Sequence, residues 1–182
     1  SSIKHHRELL EAYIKKNPKF LYSLKPVPIQ EAPRVVKLMA EAAEKANVGP
    51  MAAVAGVLAD LAVEEMILNG AKIAVVENGG EVSAFSKKEP IDVAFLAGNS
   101  PLSRRLCFRL EKFPIGVATS SGLYSHALSF GEAEAVTIFA INAGVADAAA
   151  TAIGNIVKGK PHQKVVEKSA EKALSIEGVR GA

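Results

Sequence analysis

Cysteine is nearly absent from this chain, since Cys107 is the only one, and tryptophan does not occur at all. A single cysteine excludes an internal disulfide and any zinc or redox site built on a CxxC pair. Aromatic residues make up only 5% of the chain and the net charge is only +3, so no patch of basic and aromatic residues indicates nucleic-acid binding. We therefore expect a cytoplasmic protein without a nucleic-acid partner. We expect Cys107, which lies among apolar residues in LCFRL, to be a buried, inert thiol.

Long hydrophobic runs are missing as well. The longest stretch without a charged residue or a histidine, residues 46–59, is too short and too rich in Ala and Gly to cross a bilayer, and Asp60 follows it directly. No signal peptide is visible, so we expect no membrane partner. The chain begins with Ser1 rather than Met, which is compatible with a missing N-terminal piece.

The composition is that of one globular domain over residues 1–182, with 49% hydrophobic and 23% charged residues. Apolar residues recur at helical spacing before Asn17-Pro18, after Pro33 and after Pro50. KIAVV and EVSAF flank a double glycine and predict a β-hairpin. IDVAFLAG is apolar enough to predict a strand buried on both faces.

Two further strands are predicted from IGVATSSG and AEAVTIFAIN, and the second leads into a helix near Gly144. After residue 161 a lysine-rich amphipathic helix should place Val165, Val166, Ala170 and Leu174 inward. The predicted fold class is α/β in the broad sense (α+β), with a mixed, largely antiparallel sheet on which helices pack. Such a domain could assemble as a homodimer.

The segment ADAAATAIGN carries the most specific chemical pattern. Asp147 and Thr151 are four residues apart on the predicted helix, so that their oxygens share one face above a surface of alanines. Two hard oxygen ligands of this kind suit Mg²⁺, which binds phosphate and water at the same time. The structural alternative is an aspartate favoured by the helix dipole and a threonine bonded to the preceding turn.

Two turns could complete a ligand pocket beside this helix. The first is the hairpin turn, where Asn78 and Glu81 flank two glycines that permit positive φ. The second is the polar turn after IGVA, which begins at Thr119. For the hairpin turn, a role in the turn alone is the alternative to ligand binding.

Three segments of the chain resemble the ApbE-like superfamily, whose founding members are FAD:protein FMN transferases. They are GPMAAVAGVLADLAVEEMILNGAKIAVVENGG, GVATSSGLYSHALSFG and AVTIFAINAGVADAAATAIGN, and they span roughly residues 49–155. The resemblance is to a short prokaryotic branch of that superfamily. It implies a magnesium site and a flavin nucleotide, FAD or FMN, as cofactors.

The resemblance also implies roles for individual residues. Asp147 and Thr151 would be the metal ligands. The residues expected to line the ligand are Asn78, Gly79, Gly80, Glu81, Thr119 and Gly122. The candidates for positioning or proton transfer are Ser120, Ser121 and His126, with a structural role as the alternative for His126.

Two functions from different classes follow. The first is a Mg²⁺-dependent transferase-type enzyme that acts on a small phosphate-containing ligand such as a flavin nucleotide. The second is a non-catalytic ligand- or partner-binding protein that supports sulfur assimilation and homocysteine formation, as the resemblance implies.

Overall fold

The computed structural model describes residues 2–94, 103, 105–120, 135–157 and 163–182. Six helices lie within these residues: α1 Ser2–Lys16, α2 Pro18–Tyr22, α3 Arg34–Ala46, α4 Val54–Leu68, α5 Ala143–Ile156 and α6 Gln163–Leu174. A short 3₁₀ helix, Pro50–Ala53, precedes α4.

The described strands form two sheets. Their bounds are β1 Ile73–Asn78, β2 Glu81–Ser86, β3 Ile91–Ala94, β4 Cys107–Leu110, β5 Ile115–Ser120, β6 Val136–Ala140 and β7 Val179–Gly181. The larger sheet has the order β1-β2-β5-β6-β7, and β3 pairs with β4 alone. All these pairs are antiparallel, which confirms the α/β class with a largely antiparallel sheet.

The predicted hairpin is formed by β1 and β2. Asn78 lies opposite Glu81, and the two residues between them have positive φ, 77° at Gly79 and 110° at Gly80. Only glycine adopts such angles at little steric cost, which makes this dipeptide suited to a two-residue turn. The glycines therefore fix the register that brings Asn78 beside Glu81.

The helices form two layers on one face of the larger sheet. Helix α4 packs on β1 and β2, α5 packs on β5 and β6, and α1 and α3 pack on these two helices from outside. Side chains at 0–1% exposure fill the space between the layers, namely Phe20, Val35, Val36, Met39 and Ile138. A smaller apolar cluster around Val82, Leu110 and Val117 lies where the β3–β4 pair covers the sheet.

The β3–β4 pair differs from the sequence-based expectation. Along β3 partly buried residues alternate with exposed ones, so the prediction of a strand buried on both faces is wrong for Ile91–Ala94, while residues 95–98 of the predicted strand lie outside the described residues. The strand belongs to a two-stranded sheet and has only one covered face, because its opposite face has no helix layer among the described elements. The prediction of a buried Cys107 is wrong for the same reason, since this residue of β4 is exposed.

The C-terminal helix α6 forms as predicted, but its inward face is partly different. Val166 is 63% exposed and Leu174 is 55% exposed, while Ala173 is fully buried. The reason is that α6 packs on α5 and β7 through its small residues. Among the described residues, no helix has both the length and the apolar character that a membrane span requires.

Candidate functional site

Helix α4 begins without a capping side chain of its own. Its N-cap residue is Ala53, which offers no oxygen to the free N–H groups of the first turn. Asp147 of α5 supplies that oxygen: its Oδ2 accepts the N–H of Gly56 at 3.0 Å, and the N–H of Ala55 lies close enough to this carboxylate to lower its pKa. The carboxylate lies at the positive end of the helix dipole, which stabilises its ionised form.

In return, the carboxylate of Asp60 in α4 accepts hydrogen bonds from N–H groups at the start of α5. Its Oδ1 accepts the N–H of Ala143 at 2.9 Å and its Oδ2 accepts the N–H of Gly144 at 2.8 Å. The hydroxyl of Ser83 donates to Oδ1 at 2.6 Å. The two helices thus cap each other through one aspartate each.

A repeated sequence produces this exchange. AGVLAD, residues 55–60, and AGVAD, residues 143–147, each place an aspartate one turn after a glycine. A Cβ at Gly56 would come within 2.2 Å of the carbonyl oxygen of Ala143, so only glycine allows the helices to approach this closely. The repeat is the signal that could have revealed the role of Asp60, which the sequence analysis did not assign.

The hairpin turn between β1 and β2 reaches the same helix start. The side-chain amide of Asn78 donates to the carbonyl oxygen of Ala55 at 3.0 Å. Glu81 lies close enough to Asp147 for its charge to raise the pKa of that carboxyl. The structure therefore brings Asn78, Glu81 and Asp147 together at the N-terminus of α4.

Both carboxyl groups of this cluster are held in an unfavourable environment for negative charge. Burial raises the pKa of Glu81 to about 7, and the nearby charge of Glu77 adds to the rise. Burial and the charge of Glu81 raise the pKa of Asp147 well above its ordinary value, while the N–H groups of Gly56 and Ala55 oppose that rise. A site with two such carboxyls takes up protons or a cation readily.

The side-chain oxygens of this site suit a Mg²⁺ ion that takes only a few of its ligands from the protein. The carboxyls of Asp147 and Glu81 supply hard oxygens, and Thr151 follows Asp147 by one helical turn on partly buried α5 surface. Within the described part of the chain, no three His, Cys, Asp or Glu side chains form a metal-binding group. A bound Mg²⁺ would therefore need oxygens from water or from a ligand, as is usual for this ion.

The other predicted site residues lie differently. Gly79 and Gly80 are exposed and form the turn. The hydroxyl of Thr119 pairs with that of Thr137 at 2.9 Å, and its neighbours Val117 and Ala118 pack in the clusters on opposite faces of the sheet. By strand alternation Thr119 shares the face of Val117, away from α5, whereas Ser120 is on the face of the helices. Ser121, Gly122 and His126 lie outside the described residues.

A model of one protein family matches residues 1–175, and that family is described as AbpE bacteria (AbpE_bact). A UPF0280 protein of Methanococcus vannielii is 49% identical over 177 residues, which cover 93% of this chain and 71% of that protein. A UPF0280 protein of Methanocaldococcus jannaschii is 45% identical over 177 residues, which cover 94% of this chain and 71% of that protein.

These comparisons correct the family that was expected from the sequence. Neither the matching family model nor these relatives indicates an FMN transferase, so the prediction of the ApbE-like superfamily is wrong. The motifs that suggested it are short and glycine-rich, and such turns and close helix contacts arise from backbone geometry alone. After residue 123 the chain continues YSHALSFGEAEAV, without the Asp-Pro and Thr-Gly elements of the transferases. The chain belongs to the family described as AbpE bacteria, together with the UPF0280 proteins of methanogens.

Proposed function

We propose that this protein binds Mg²⁺ together with a small phosphate-containing ligand, such as a nucleotide, where Asp147, Glu81 and the hairpin turn meet the start of α4. Flavin nucleotides are the members of this ligand class that we would test first. We propose a cytoplasmic location, which the single, exposed cysteine supports because such a thiol stays free in a reducing compartment.

The observation that carries the proposal is the proximity of two partly buried carboxyls, those of Asp147 and Glu81, to each other. The charge of Glu81 raises the pKa of Asp147, and burial raises the pKa of both groups. None of the ion pairs found among the described residues involves either side chain. A divalent cation between them would favour both ionised forms and remove their mutual repulsion.

The ligand would contact the cation rather than the helix. The N–H of Gly56 already donates to Asp147, and the N–H of Ala55 lies beside the same carboxylate, so this helix start is occupied by the aspartate rather than open to a phosphate. Mg²⁺ held by one or two carboxylates commonly completes its coordination with phosphate oxygens and water. Thr151, one helical turn after Asp147, and Asn78, opposite Glu81 in the hairpin, are the neutral side chains whose oxygens would complete the coordination.

The transferase step expected from the sequence is not part of this proposal. Of its candidate residues, only Ser120 lies within the described part of the chain, on the sheet face that carries the helices. The second candidate is a non-catalytic protein in which Asp147 only caps α4. Its hydrogen bond to Gly56 favours that account, and the experiment below separates the two.

Isothermal titration with FAD, FMN and ADP, with and without Mg²⁺, tests the proposal. We expect affinity for at least one nucleotide to require Mg²⁺ and to fall at least about tenfold in Asp147→Asn, because one charged oxygen contact is lost. Asp60→Asn is the matched control, since Asp60 caps a helix in the same way but its carboxylate is hydrogen-bonded to Ser83, Ala143 and Gly144 rather than to the start of α4.

Two results would remove the proposal. One is nucleotide binding of equal strength with and without Mg²⁺, or no binding at all. The other is an equal loss in Asp147→Asn and Asp60→Asn, which would show that both aspartates act through the stability of the helix pair. The expected homodimer stays a prediction, and light scattering would test it.

A further inference from the structure

A cavity of about 440 Å³ lies on the Asp60 side of the helix pair. It is bounded by α3, α4, the start of α5, Pro114 and Arg180 of β7. None of Asn78, Glu81, Asp147 and Thr151 lines it, so it is separate from the candidate cation site. Its volume is within the usual range for cavities that bind small molecules.

The inner surface of this cavity is apolar or already hydrogen-bonded. Leu38, Val57, Leu61, Ile141 and Val145 supply the apolar part. The carboxylate of Asp60 accepts hydrogen bonds from one hydroxyl and two backbone N–H groups at 2.6–2.9 Å. The N–H of Val145 donates to Oδ1 of Asn142 at 2.8 Å, so the first N–H groups of α5 are all bonded and a charged ligand group must be recognised at the rim.

The rim carries charges of both signs, and two of them form no ion pair with any residue that the structure describes. Arg34 pairs with Glu64 at 2.9 Å across the cavity wall. Arg180 donates from Nη1 to the carbonyl oxygen of Pro114 at 2.8 Å, but it is in no ion pair among the described residues. Glu41 is likewise in no ion pair within the part of the chain that the structure describes.

We propose that this cavity binds a zwitterionic small molecule, a free amino acid with an apolar side chain. Arg180 binds the carboxylate, because guanidinium matches the planar shape of that group, and Glu41 binds the ammonium group. The apolar side chain packs against Leu38, Leu61 and Val145. A simple anion or a simple amine would leave one of the two rim charges without a partner.

Titration calorimetry with three ligands of one shape tests the charge pattern. Leucine carries both charged groups, isocaproate lacks the ammonium group, and isoamylamine lacks the carboxylate. We expect saturable binding of leucine and affinities at least about tenfold lower for the other two, as expected when one charged contact is lost. Arg180→Gln should weaken leucine and isocaproate, whereas Glu41→Gln should weaken leucine and leave isocaproate unchanged.

Glu44→Gln and Arg7→Gln are the controls for these variants, because both residues are exposed and neither lines the cavity. Both should bind leucine like the original protein. The proposal is overturned if leucine does not bind at millimolar concentration, if isocaproate binds as tightly as leucine, or if Arg180→Gln and Glu41→Gln bind leucine unchanged. Circular dichroism of each variant shows that a lost affinity is not lost folding.

Discussion

At the scale of single residues, Glu81 connects the candidate site to the stability of the protein. Its ordinary pKa is 4.5, and in the folded chain burial raises that pKa to about 7. Between these values the folded state holds more protons than the unfolded state. The free energy of unfolding should therefore fall as the pH rises through this window.

Glu81→Gln keeps the shape of the protonated side chain and removes the titration. We expect this variant to be more stable than the original protein at about pH 8, by roughly 1–2 kcal/mol, and equally stable at about pH 4. The full pKa shift corresponds to a larger energy, but Glu81 is only partly buried and solvent screens part of it. Urea unfolding at a series of pH values measures the difference.

Glu89→Gln is the control for this series, since Glu89 is exposed in the connection after β2. It should show the same pH dependence of stability as the original protein. If the Glu81→Gln curve runs parallel to that of the original protein across the whole pH range, the carboxyl of Glu81 is not held in the environment described here.

Thr119 gives a second test at this scale. Its hydroxyl pairs with Thr137 at 2.9 Å on the sheet face away from α5. Thr119→Val should cost about 1 kcal/mol in unfolding free energy, the usual value for one hydrogen bond, and should leave Mg²⁺-dependent nucleotide affinity unchanged. A loss of that affinity in titration calorimetry would place Thr119 in the ligand site after all.

At the scale of elements, the mutual capping of α4 and α5 depends on Gly56 and Gly144, and it depends more strongly on Gly56. A Cβ at Gly56 meets backbone atoms of Ala143 at 2.2 and 2.4 Å, whereas a Cβ at Gly144 meets first a methyl group of Val57 at 2.6 Å. A side chain moves more easily than the backbone of a packed helix. We expect Gly56→Ala to lower the free energy of unfolding by about 3 kcal/mol or more and Gly144→Ala to lower it by about 1–2 kcal/mol. These are net losses that remain after the better helix propensity of alanine is counted. Urea unfolding of the two variants checks this order, and an equal or reversed cost would contradict the packing.

The sequence predicts these elements better than their contacts. Helical spacing and the double glycine were sufficient to predict α4, α5 and the β1–β2 hairpin, because these patterns are local. The exposed side of β3, the exposed Cys107 and the inward face of α6 depend on what packs against each element, and no local pattern contains that. The three-residue strand β7 is too short for a periodic signal.

Only part of the candidate site could be predicted from the sequence, because only part of it follows from local patterns. Asp147 and the hairpin turn were singled out by residue type and spacing, and the structure places Asn78, Glu81 and Asp147 together. The role of Asp60 was missed, because a carboxylate that caps another helix has no signature within its own helix. Comparison of residues 55–60 with residues 143–147 would have indicated it.

At the scale of the whole molecule, the helix pair has two different ends. The Asp147 end faces the acidic turn with Glu77 and Glu81, while the Asp60 end faces a cavity whose rim carries charges of both signs. The same capping exchange therefore lies in surroundings of different charge. The proposed Mg²⁺ site lies at the first end, where Asp147 and Glu81 are close to each other.

Cation binding at the first end should stabilise the entire fold. Protons compete with Mg²⁺ for Glu81, so the rise in Tm caused by millimolar Mg²⁺ should be larger at about pH 8 than at about pH 6. Asp147→Asn should remove this rise and Asp60→Asn should retain it, as measured by thermal unfolding. A Mg²⁺ effect that is independent of pH would point to binding elsewhere on the surface.

The titration of the Glu81 carboxyl carbon, followed by NMR with and without Mg²⁺, tests the central claim most directly. Without Mg²⁺ the pKa should be near the value of about 7 that burial produces. With Mg²⁺ it should decrease, in the original protein and in Asp60→Asn but not in Asp147→Asn, because the cation favours the ionised form only where both carboxyls are present. A Glu81 pKa that stays unchanged when Mg²⁺ is added would contradict the proposed cation site.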